Sequence, residues 1–455
     1  MCLRLRQIHH QPRHLVLYGI ALFFLTALKT SARADDHAQL RAAVQKALDT
    51  EIRGLFYPAT LDREHGGFHE NLARDGTVLA DQGYSVVYQA RMTWTAAAYA
   101  EFNPERKAEF LEYARHGLKC LNTTLRDTEQ GGFHWSVNRD GRLDARNGAE
   151  KHAYGTAFVV YAASKLHQVS GDATALKVAQ DAFDWLERHG HDPEFGGYFE
   201  AFSRAGEPLA LGTRRADGTL ATDRLGIPYG YKTMNSHIHL LEAFAALVKS
   251  DPRPIVRQRL EEVLTLVRDK IATEPGALHL YLSRDWKPVP AHDSFGHDVE
   301  TAYLLVEAAE AVGKPEDPAT WRMAKLLLDH ALEAGWDQTH GGFYDKGDSI
   351  GGSAYDTTKV WWTQAEGLNT LLLFHEKFGA QTDRYQKSFL AQWNFIQKHQ
   401  IDPEFGGWFS EVSREGKLLG NGAKASPWKA CYHTGRSLIN IDRMLGDKHT
   451  GKLAP

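Results

Sequence analysis

Residues 62–76, DREHGGFHENLARDG, contain the pattern that decides the fold. An aspartate is followed four residues later by a diglycine and an aromatic residue, and an arginine stands eight residues after the first glycine. Two adjacent glycines permit backbone conformations that other residues resist, and the Asp-Gly pair at 75–76 ends the alternating stretch in a turn. The segment therefore predicts a short β-hairpin.

The same pattern recurs along the chain at a fixed spacing. The diglycines begin at Gly66, Gly131, Gly196, Gly341 and Gly406, so the first three are equally spaced and the last two are separated by the same step. The interval from Gly196 to Gly341 exceeds two steps, and one step back from Gly341 gives a degenerate unit at Gly276, with Arg284 eight residues later. The extra residues of this interval fall in the polar, turn-rich stretch 211–230. Because long loop insertions are often functional, this insert is predicted to be a lid.

Two stretches of helical periodicity lie between successive hairpins, for example residues 153–168 and 173–188. Six units therefore predict about twelve helices. An open stack of repeats needs atypical capping units, whereas the terminal units here resemble the middle ones. The prediction is an all-α fold: an (α/α)6 barrel of six helix–helix–hairpin repeats, in one catalytic domain over residues 35–455.

Residues 1–34 differ from the rest of the chain. Three arginines precede a mostly apolar stretch, 15–28, and Ala32-Arg33-Ala34 matches a small-x-small cleavage signal. The apolar stretch is too short for a membrane span, so residues 1–34 are predicted to be a secretory signal peptide, with an uncleaved anchor as the alternative. The expected location is periplasmic or secreted, without stable membrane insertion after cleavage.

Charge and cysteine content narrow the functional class. The whole chain has a net charge of −4, and removal of the segment 1–34 leaves 48 basic against 57 acidic side chains, or −9. An acidic chain without a basic run argues against a nucleic-acid partner. Cys120 and Cys431, which remain after cleavage, form neither a disulfide framework nor a metal motif, and whether they pair is left open.

Polar residues on otherwise apolar inner helices are candidates for lining a central cavity. A single histidine on an apolar face is more often a hydrogen-bonded core residue, and tryptophans often pack cores. Histidines, carboxylates and tryptophans nevertheless recur together on several helices, which is typical of sugar binding. In the N-x-H-x-H stretch the histidines at 237 and 239 point to different helix faces, so no metal site is predicted. The candidates are Arg91, Tyr154, Asn235, His239, His297, Glu300, Trp362, Glu366, Trp428 and His433.

A histidine beside a carboxylate has a clear chemical use. The contact fixes the imidazole tautomer and tunes its pKa, which gives a base that works near neutral pH. His239 with Glu242, and His297 with Glu300, have the i, i+3 spacing for such contacts. Two histidines on opposite sides of a substrate can remove a proton from one face of a carbon and return one to the other. An arginine nearby could stabilise the enediolate oxygen that forms between these steps.

Six motifs occur in an order that resembles the N-acylglucosamine 2-epimerase superfamily, and most closely its cellobiose 2-epimerases. Each motif is weak alone, but together they cover nearly all of residues 35–445. The resemblance implies an (α/α)6 barrel, no cofactor, and a small oligosaccharide substrate. The motifs are QAR (89–91), YGxxF (154–158), NxHxH (235–239), GHDVE (296–300), WWxQAE (361–366) and WKxxYHxGR (428–436).

The resemblance also implies a reaction and its residues. His297 and His433 match the catalytic pair: after ring opening, one removes the C2 proton and the other reprotonates the opposite face of a cis-enediolate after rotation about C2–C3. His239 is implied to assist ring opening or binding, and Arg91 to lie near O1 and O2. The other implied contacts are Glu300 and Glu366 orienting histidines and hydroxyls, Trp362 and Trp428 stacking on sugar, and Tyr154 and Asn235 as polar groups.

Epimerisation of the reducing-end glucose of cellobiose or lactose to mannose is therefore the leading hypothesis, and four others stay open. A mannose or other aldose–ketose isomerase would return the proton to C1, and an N-acylglucosamine 2-epimerase would act on the acylated amino sugar. An inverting glycoside hydrolase would use Glu300 and Glu366 as acid and base. A sugar-binding protein would show no turnover. The native sugar and the oligomeric state are not predicted.

Overall fold

The computed structural model describes residues 37–80, 83–143, 150–214, 217–223 and 225–447. The predicted signal peptide lies outside these described residues. Within them, none of the helices has the length and apolarity that crossing a membrane requires. Cys120 and Cys431 are both buried free thiols, so the two cysteines do not pair with each other.

Twelve α-helices lie in the described ranges, as the six repeats predict. Four of the odd-numbered helices continue into π-helical turns at 50–56, 121–125, 267–271 and 396–400. The helices are 37–49 (α1), Val86–Phe102 (α2), Lys107–Cys120 (α3), Ala153–Ser170 (α4), Ala173–His189 (α5), Met234–Leu247 (α6), Pro254–Leu266 (α7), Phe295–Ala311 (α8), Pro318–Ala334 (α9), Trp361–Phe378 (α10), Arg384–Phe395 (α11) and Tyr432–Asp447 (α12).

The even-numbered helices form a closed inner ring. Each one contacts the next, and α12 contacts α2. Helix α2 is buried on every face from Val86 to Ala100, whereas α5 buries only one stripe of residues. A helix that is buried all round belongs to the interior, and a helix with one apolar stripe covers it from outside. These contacts confirm the (α/α)6 barrel.

Short antiparallel strands join consecutive units at the end of the barrel where the inner helices begin. The strand that leads into an inner helix pairs with the hairpin of the next unit, giving the pairs β1–β2, β3–β4, β5–β8, β10–β11 and β13–β14. The strands are Tyr84–Ser85 (β1), Ser136–Val137 (β2), Lys151–His152 (β3), Ala201–Phe202 (β4), Lys232–Thr233 (β5), Ala272–Thr273 (β6), Ala277–Leu278 (β7), Tyr281–Leu282 (β8), Pro288–Val289 (β9), Asp293–Ser294 (β10), Lys346–Gly347 (β11), Ala354–Asp356 (β12), Lys359–Val360 (β13) and Glu411–Val412 (β14).

The diglycines are required by backbone conformation and by close packing. Gly131 and Gly132 both have φ of +70°, and a Cβ on Gly132 would lie 2.7 Å from the Trp185 ring. A side chain at either position would therefore be strained. The predicted degenerate unit is also present, because β6 and β7 form a hairpin around Gly276.

An ion-pair cluster, here called the joint cluster, joins each of five pairs of neighbouring units. Asp402 of the last unit accepts hydrogen bonds from Arg74 of the first unit and from Lys424, both at 2.8 Å, and so closes the ring. Asp62, Asp127, Asp192 and Asp337 form the equivalent ion pairs with Arg139, Arg204, Arg284 and Arg414 of the following unit. In each of these four clusters the aspartate also binds a residue that stands two positions before the start of an inner helix. These residues are Tyr84, Lys151, Lys232 and Lys359.

The joint clusters explain the aspartate and the arginine of the repeat pattern. The arginine forms its ion pair with a buried aspartate of the preceding unit and not with the aspartate of its own unit. Burial opposes ionisation, but backbone N–H groups and these basic partners together hold the pKa of Asp402 and its counterparts well below its usual range.

Candidate active site

A cavity of about 250 Å³ opens at the end of the barrel where the inner helices begin. All six inner helices, or the segment just before one, contribute to its wall. Nine of the ten candidate residues line it, and the tenth, Glu366, lies behind His433. The lining residues are Arg91, Tyr154, Asn235, His239, His297, Glu300, Trp361, Trp362, Trp428 and His433.

His433 is held through Nδ1 in the first turn of α12. Its Nδ1 lies 2.7 Å from Oε1 of Glu366, and the same oxygen accepts a hydrogen bond from Arg436 at 2.7 Å. Because an arginine only donates, this oxygen is an acceptor, and His433 donates to it through Nδ1–H. The Nε2 lone pair is then the one available to a substrate. Burial, followed by the positive charges of Arg91 and Arg436, lowers the pKa of His433 well below its usual value.

His297 is also held through Nδ1, but by a neutral partner. Its Nδ1 lies 2.7 Å from the hydroxyl of Ser294, the residue that precedes α8. A hydroxyl can donate or accept, so it accommodates either tautomer of His297. Burial, reinforced by nearby His239, lowers the pKa of His297 to about 3. Both histidines are therefore neutral near pH 7, and each leaves Nε2 for the cavity.

Arg436, one turn beyond His433, forms the base of the site and is 1% exposed. Its Nη1 binds Glu242, and its Nη2 binds Glu300 at 2.6 Å and Glu366 at 2.7 Å. Three carboxylates from three inner helices thus converge on one arginine. Burial opposes ionisation of Glu242, but Arg436 and His239 lower its pKa to about 2. Burial, aided by the charge of Glu300, raises the pKa of Glu366 to about 8 despite Arg436.

The two histidines of α6 have different environments, as their spacing predicts. His239 lines the cavity, and its Nδ1 lies 3.1 Å from Oε2 of Glu242. His237 faces away: it contacts the carbonyl of Thr233 at 2.7 Å and accepts a hydrogen bond from the Tyr198 N–H at 3.1 Å. His237 therefore supports the third hairpin.

Arg91 supplies a positive charge to the cavity wall. It donates to the Tyr154 hydroxyl at 2.9 Å and to the Trp428 carbonyl at 3.1 Å, and its guanidinium lies 4.6 Å from the centre of the Phe158 ring. Among the residues that the structure describes, no carboxylate forms an ion pair with Arg91. Its charge is thus available to an oxyanion in the cavity.

Two tryptophans provide the flat apolar surfaces. The Trp362 ring lies 4.8 Å from the His297 ring and 5.7 Å from the His433 ring, between centroids, so it contacts both histidines. Trp428 is 45% exposed at the rim and lies 6.2 Å from Trp135. Indole surfaces next to polar groups suit the stacking of sugar rings.

One local pairing suggested by the sequence is wrong, and several contributors were missed. Glu300 does not contact His297 in spite of the i, i+3 spacing, because Arg436 binds its carboxylate. Sequence reasoning also missed Trp361, Ser294 and Arg436 as members of the site. Arg436 ends the last of the six motifs, so that motif was a signal that could have identified it.

The insert 211–230 does not reach the cavity wall with any of its described residues. It is anchored beside α4 instead: Asp223 lies 3.1 Å from Nε2 of His152, and the Tyr229 hydroxyl donates to Glu150 at 2.9 Å. The predicted role as a lid stays a prediction.

The geometry of the acidic residues argues against two other uses of the site. Glu300, Glu366 and His433 are close enough for a metal, but Arg436 already supplies the positive charge and binds both carboxylates. The Oε1 atoms of the two glutamates lie no more than about 5.3 Å apart, since one arginine nitrogen lies 2.6 Å and 2.7 Å from them. An inverting hydrolase needs a separation of about 6.5–9.5 Å with substrate between the two carboxyl groups.

Comparison with known proteins agrees with this geometry. The sequence pattern of the family N-acylglucosamine 2-epimerase (GlcNAc 2-epimerase) matches residues 66–436. A cellobiose 2-epimerase of Bacteroides fragilis is 30% identical over 407 residues, which cover 88% of this chain and 98% of that protein. A cellobiose 2-epimerase of Ruminococcus albus is 30% identical over 395 residues, which cover 85% of this chain and 94% of that protein. The solved structure of a cellobiose 2-epimerase from Spirochaeta thermophila superposes with a TM-score of 0.78 at 31% identity, covering 91% of this chain and 98% of that one.

Proposed function

Because the chain belongs to the N-acylglucosamine 2-epimerase family, we propose that it is a cellobiose 2-epimerase, which interconverts reducing-end glucose and mannose in β-1,4-linked disaccharides such as cellobiose and lactose. It is a carbohydrate isomerase, in agreement with the relatives described above. The substrate is a small oligosaccharide, and the proposed reaction inverts the configuration at C2.

One observation carries the proposal: two neutral histidines in one cavity are each held through Nδ1, so that both have Nε2 available. One partner is a carboxylate and the other a hydroxyl. Proton transfer on both faces of a carbon needs two such groups within reach of the same atom.

The proposed steps follow from these contacts. After the reducing-end ring opens, one histidine takes the C2 proton through Nε2. The electron pair of that C–H bond forms the C1–C2 double bond, and the π pair of the C1 carbonyl moves onto O1, which gives a cis-enediolate. The unpaired charge of Arg91 stabilises this oxyanion. Rotation about C2–C3 presents the opposite face to the other histidine, which returns a proton to C2 while the carbonyl re-forms at C1.

The contact with Glu366 suits His433 to accept a proton, and the contact with Ser294 suits His297 to donate one. Glu366 keeps the proton of His433 on Nδ1, and in its ionised form it stabilises the imidazolium that forms after proton abstraction. Ser294 accepts either tautomer of His297, so this ring can carry its proton on Nε2 and donate it. His239 with Glu242, and the tryptophans 362 and 428, support ring opening and sugar stacking.

Product analysis with four sugars tests the proposal. The purified chain is incubated separately with cellobiose, lactose, mannose and N-acetylglucosamine, and the products are separated by chromatography. We expect the mannose-ended epimers of the two disaccharides as main products. A ketose from mannose as the main product would instead favour an aldose–ketose isomerase, and exclusive turnover of N-acetylglucosamine would favour the amino-sugar reaction.

A further inference from the structure

The joint between the fourth and fifth units lacks the joint cluster found at the other five. Ala272 stands at the aspartate position, four residues before Gly276, and Ser349 at the arginine position, eight residues after Gly341. Asp293 stands two residues before α8, where three other joints have lysine. The aspartate, arginine and lysine positions of the joint cluster have therefore all changed. Their summed charge, which is positive where the third residue is lysine, is negative at this joint.

Two buried aspartates and a buried histidine occupy this joint. Asp293 and Asp298 are 0% exposed, and His330 of α9 is 7% exposed. Nδ1 of His330 lies 3.7 Å from Oδ2 of Asp293. Within the described part of the chain, neither ring nitrogen of His330 has a hydrogen-bond partner. The oxygens of Asp298 accept no hydrogen bond from a described N–H or hydroxyl group and face the carboxyl group of Asp293.

The helix position of Asp298 has a defined role in two other units. The fourth residue of α2 and of α10 is a glutamine, Gln89 or Gln364, that accepts the N–H of the aromatic residue after the diglycine, at 2.8 Å and 3.0 Å. Asp298 is the fourth residue of α8. The fourth unit has Leu278 at the position of the aromatic residue, and Asp298 does not accept an N–H from it.

The charge at the joint is not balanced by the protein. In the described ranges, no lysine or arginine forms an ion pair with Asp293 or Asp298. Burial raises the pKa of Asp298 well above its usual range, and the neighbouring Asp293 adds to this through its charge and a side-chain hydrogen bond. Buried carboxylates are normally paired with a base or bound to a metal.

We propose that this joint binds a divalent transition-metal cation, of which Zn²⁺ and Mn²⁺ are the representative probes, through Asp293, Asp298 and His330. One ligand atom from each residue lies within 4.8 Å of the others, so a small contraction brings them onto one ion with bonds of about 2.0–2.2 Å. Two carboxylates neutralise a double charge, and an imidazole ligand favours a transition ion over Mg²⁺ or Ca²⁺.

The ion would replace the joint cluster and fix the start of α8. Asp298 directly follows the catalytic candidate His297, and Asp293 directly precedes Ser294, which holds the His297 ring. A bound ion therefore positions the first turn of α8 without taking part in the proton transfers. It also lies outside the cavity that the substrate occupies, because none of its three ligands lines that cavity.

A second histidine–carboxylate cluster provides the matched control. His152, Glu200 and Asp223 are also buried and close together. Here the oxygens are satisfied: Glu200 accepts from Thr233 and Ser236, both at 2.7 Å, and Asp223 accepts backbone N–H groups and contacts His152. This cluster needs no ion, so the substitution Asp223→Asn is expected to leave the metal content unchanged.

Metal analysis of the full-length protein tests the proposal. Protein produced with Zn²⁺ and Mn²⁺ in the medium is desalted, and its metal content is measured by plasma mass spectrometry. We expect about one equivalent per chain, lost in Asp298→Asn and His330→Gln and kept in Asp223→Asn. After removal of the metal with a chelator, Zn²⁺ or Mn²⁺ should raise Tm by about 4 °C, and Mg²⁺ should not.

Two results would overturn the proposal. One is metal-free wild-type protein whose Tm does not respond to Zn²⁺ or Mn²⁺, which would mean that the two aspartates share a proton beside His330. The other is a metal content that is the same in His330→Gln as in the wild type, which would locate the ion elsewhere. The wild-type measurements decide the question even if Asp298→Asn does not fold.

Discussion

Replacing His433 with asparagine is expected to lower kcat/KM for cellobiose by about 1,000-fold, the size of effect that a general acid–base group provides. The substitution removes Nε2, the ring nitrogen that remains for substrate because Nδ1 is bound to Glu366. An asparagine can still hydrogen-bond to Glu366, so the protein should keep its fold. Initial rates measured by product chromatography over a range of cellobiose concentrations give the ratio.

His116→Asn is the matched control for His433→Asn. His116 lies on outer helix α3 and contacts the Gly67 carbonyl at 2.7 Å, away from the cavity. We expect this variant to retain kcat/KM within about twofold, because changes away from the site alter stability more than transition-state binding. Near wild-type activity in His433→Asn would contradict the catalytic assignment. It would instead agree with a reaction carried by the glutamates, as in the hydrolase hypothesis.

Replacing Arg436 with methionine is expected to destabilise the protein by about 4 kcal/mol and to abolish measurable turnover. Removing one partner of a buried ion pair leaves an uncompensated charge in the interior, which typically costs about 3–5 kcal/mol. Here the single arginine binds Glu242, Glu300 and Glu366, all at most 2% exposed. Without it, Glu366 no longer has the contact that fixes its oxygen toward His433. Thermal unfolding followed by circular dichroism measures the change.

A second arginine on the same helix gives the comparison for Arg436→Met. Arg443 pairs with Glu101, and the two side chains are 45% and 41% exposed. An exposed pair contributes about 0.5 kcal/mol, so Arg443→Met should leave Tm within about 1–2 °C of the wild type. Equal losses of Tm in the two variants would show that the buried network has no special importance.

Much of the fold could be predicted because the spacing of the diglycines reveals the repeat. The diglycine needs positive φ, so it marks each hairpin, and the fixed period with similar terminal units indicates a closed ring. The contacts between α12 and α2, and between Arg74 and Asp402, confirm that closure. The function of the repeated arginine could not be predicted in this way, because its aspartate belongs to the preceding unit.

The residues that line the site could largely be predicted from the sequence, but the contacts between them could be predicted only in part. The candidates on inner helices converge because inner helices face the same cavity. The His239–Glu242 contact follows from local spacing, but the same spacing fails for His297 and Glu300. Whether such a pair forms depends on competing partners that are distant in sequence, and Arg436 lies 136 residues from Glu300.

In the proposed reaction, this closed ring brings two histidines together to move a proton at C2 of a reducing-end sugar. Incubation of the purified chain with cellobiose in deuterated water, followed by NMR and mass spectrometry of the products, tests it most directly. We expect the mannose-ended epimer with one deuterium at C2, and loss of this product in His297→Asn and in His433→Asn. Epimer without deuterium at C2, or no epimer and no exchange at all, would contradict the claim.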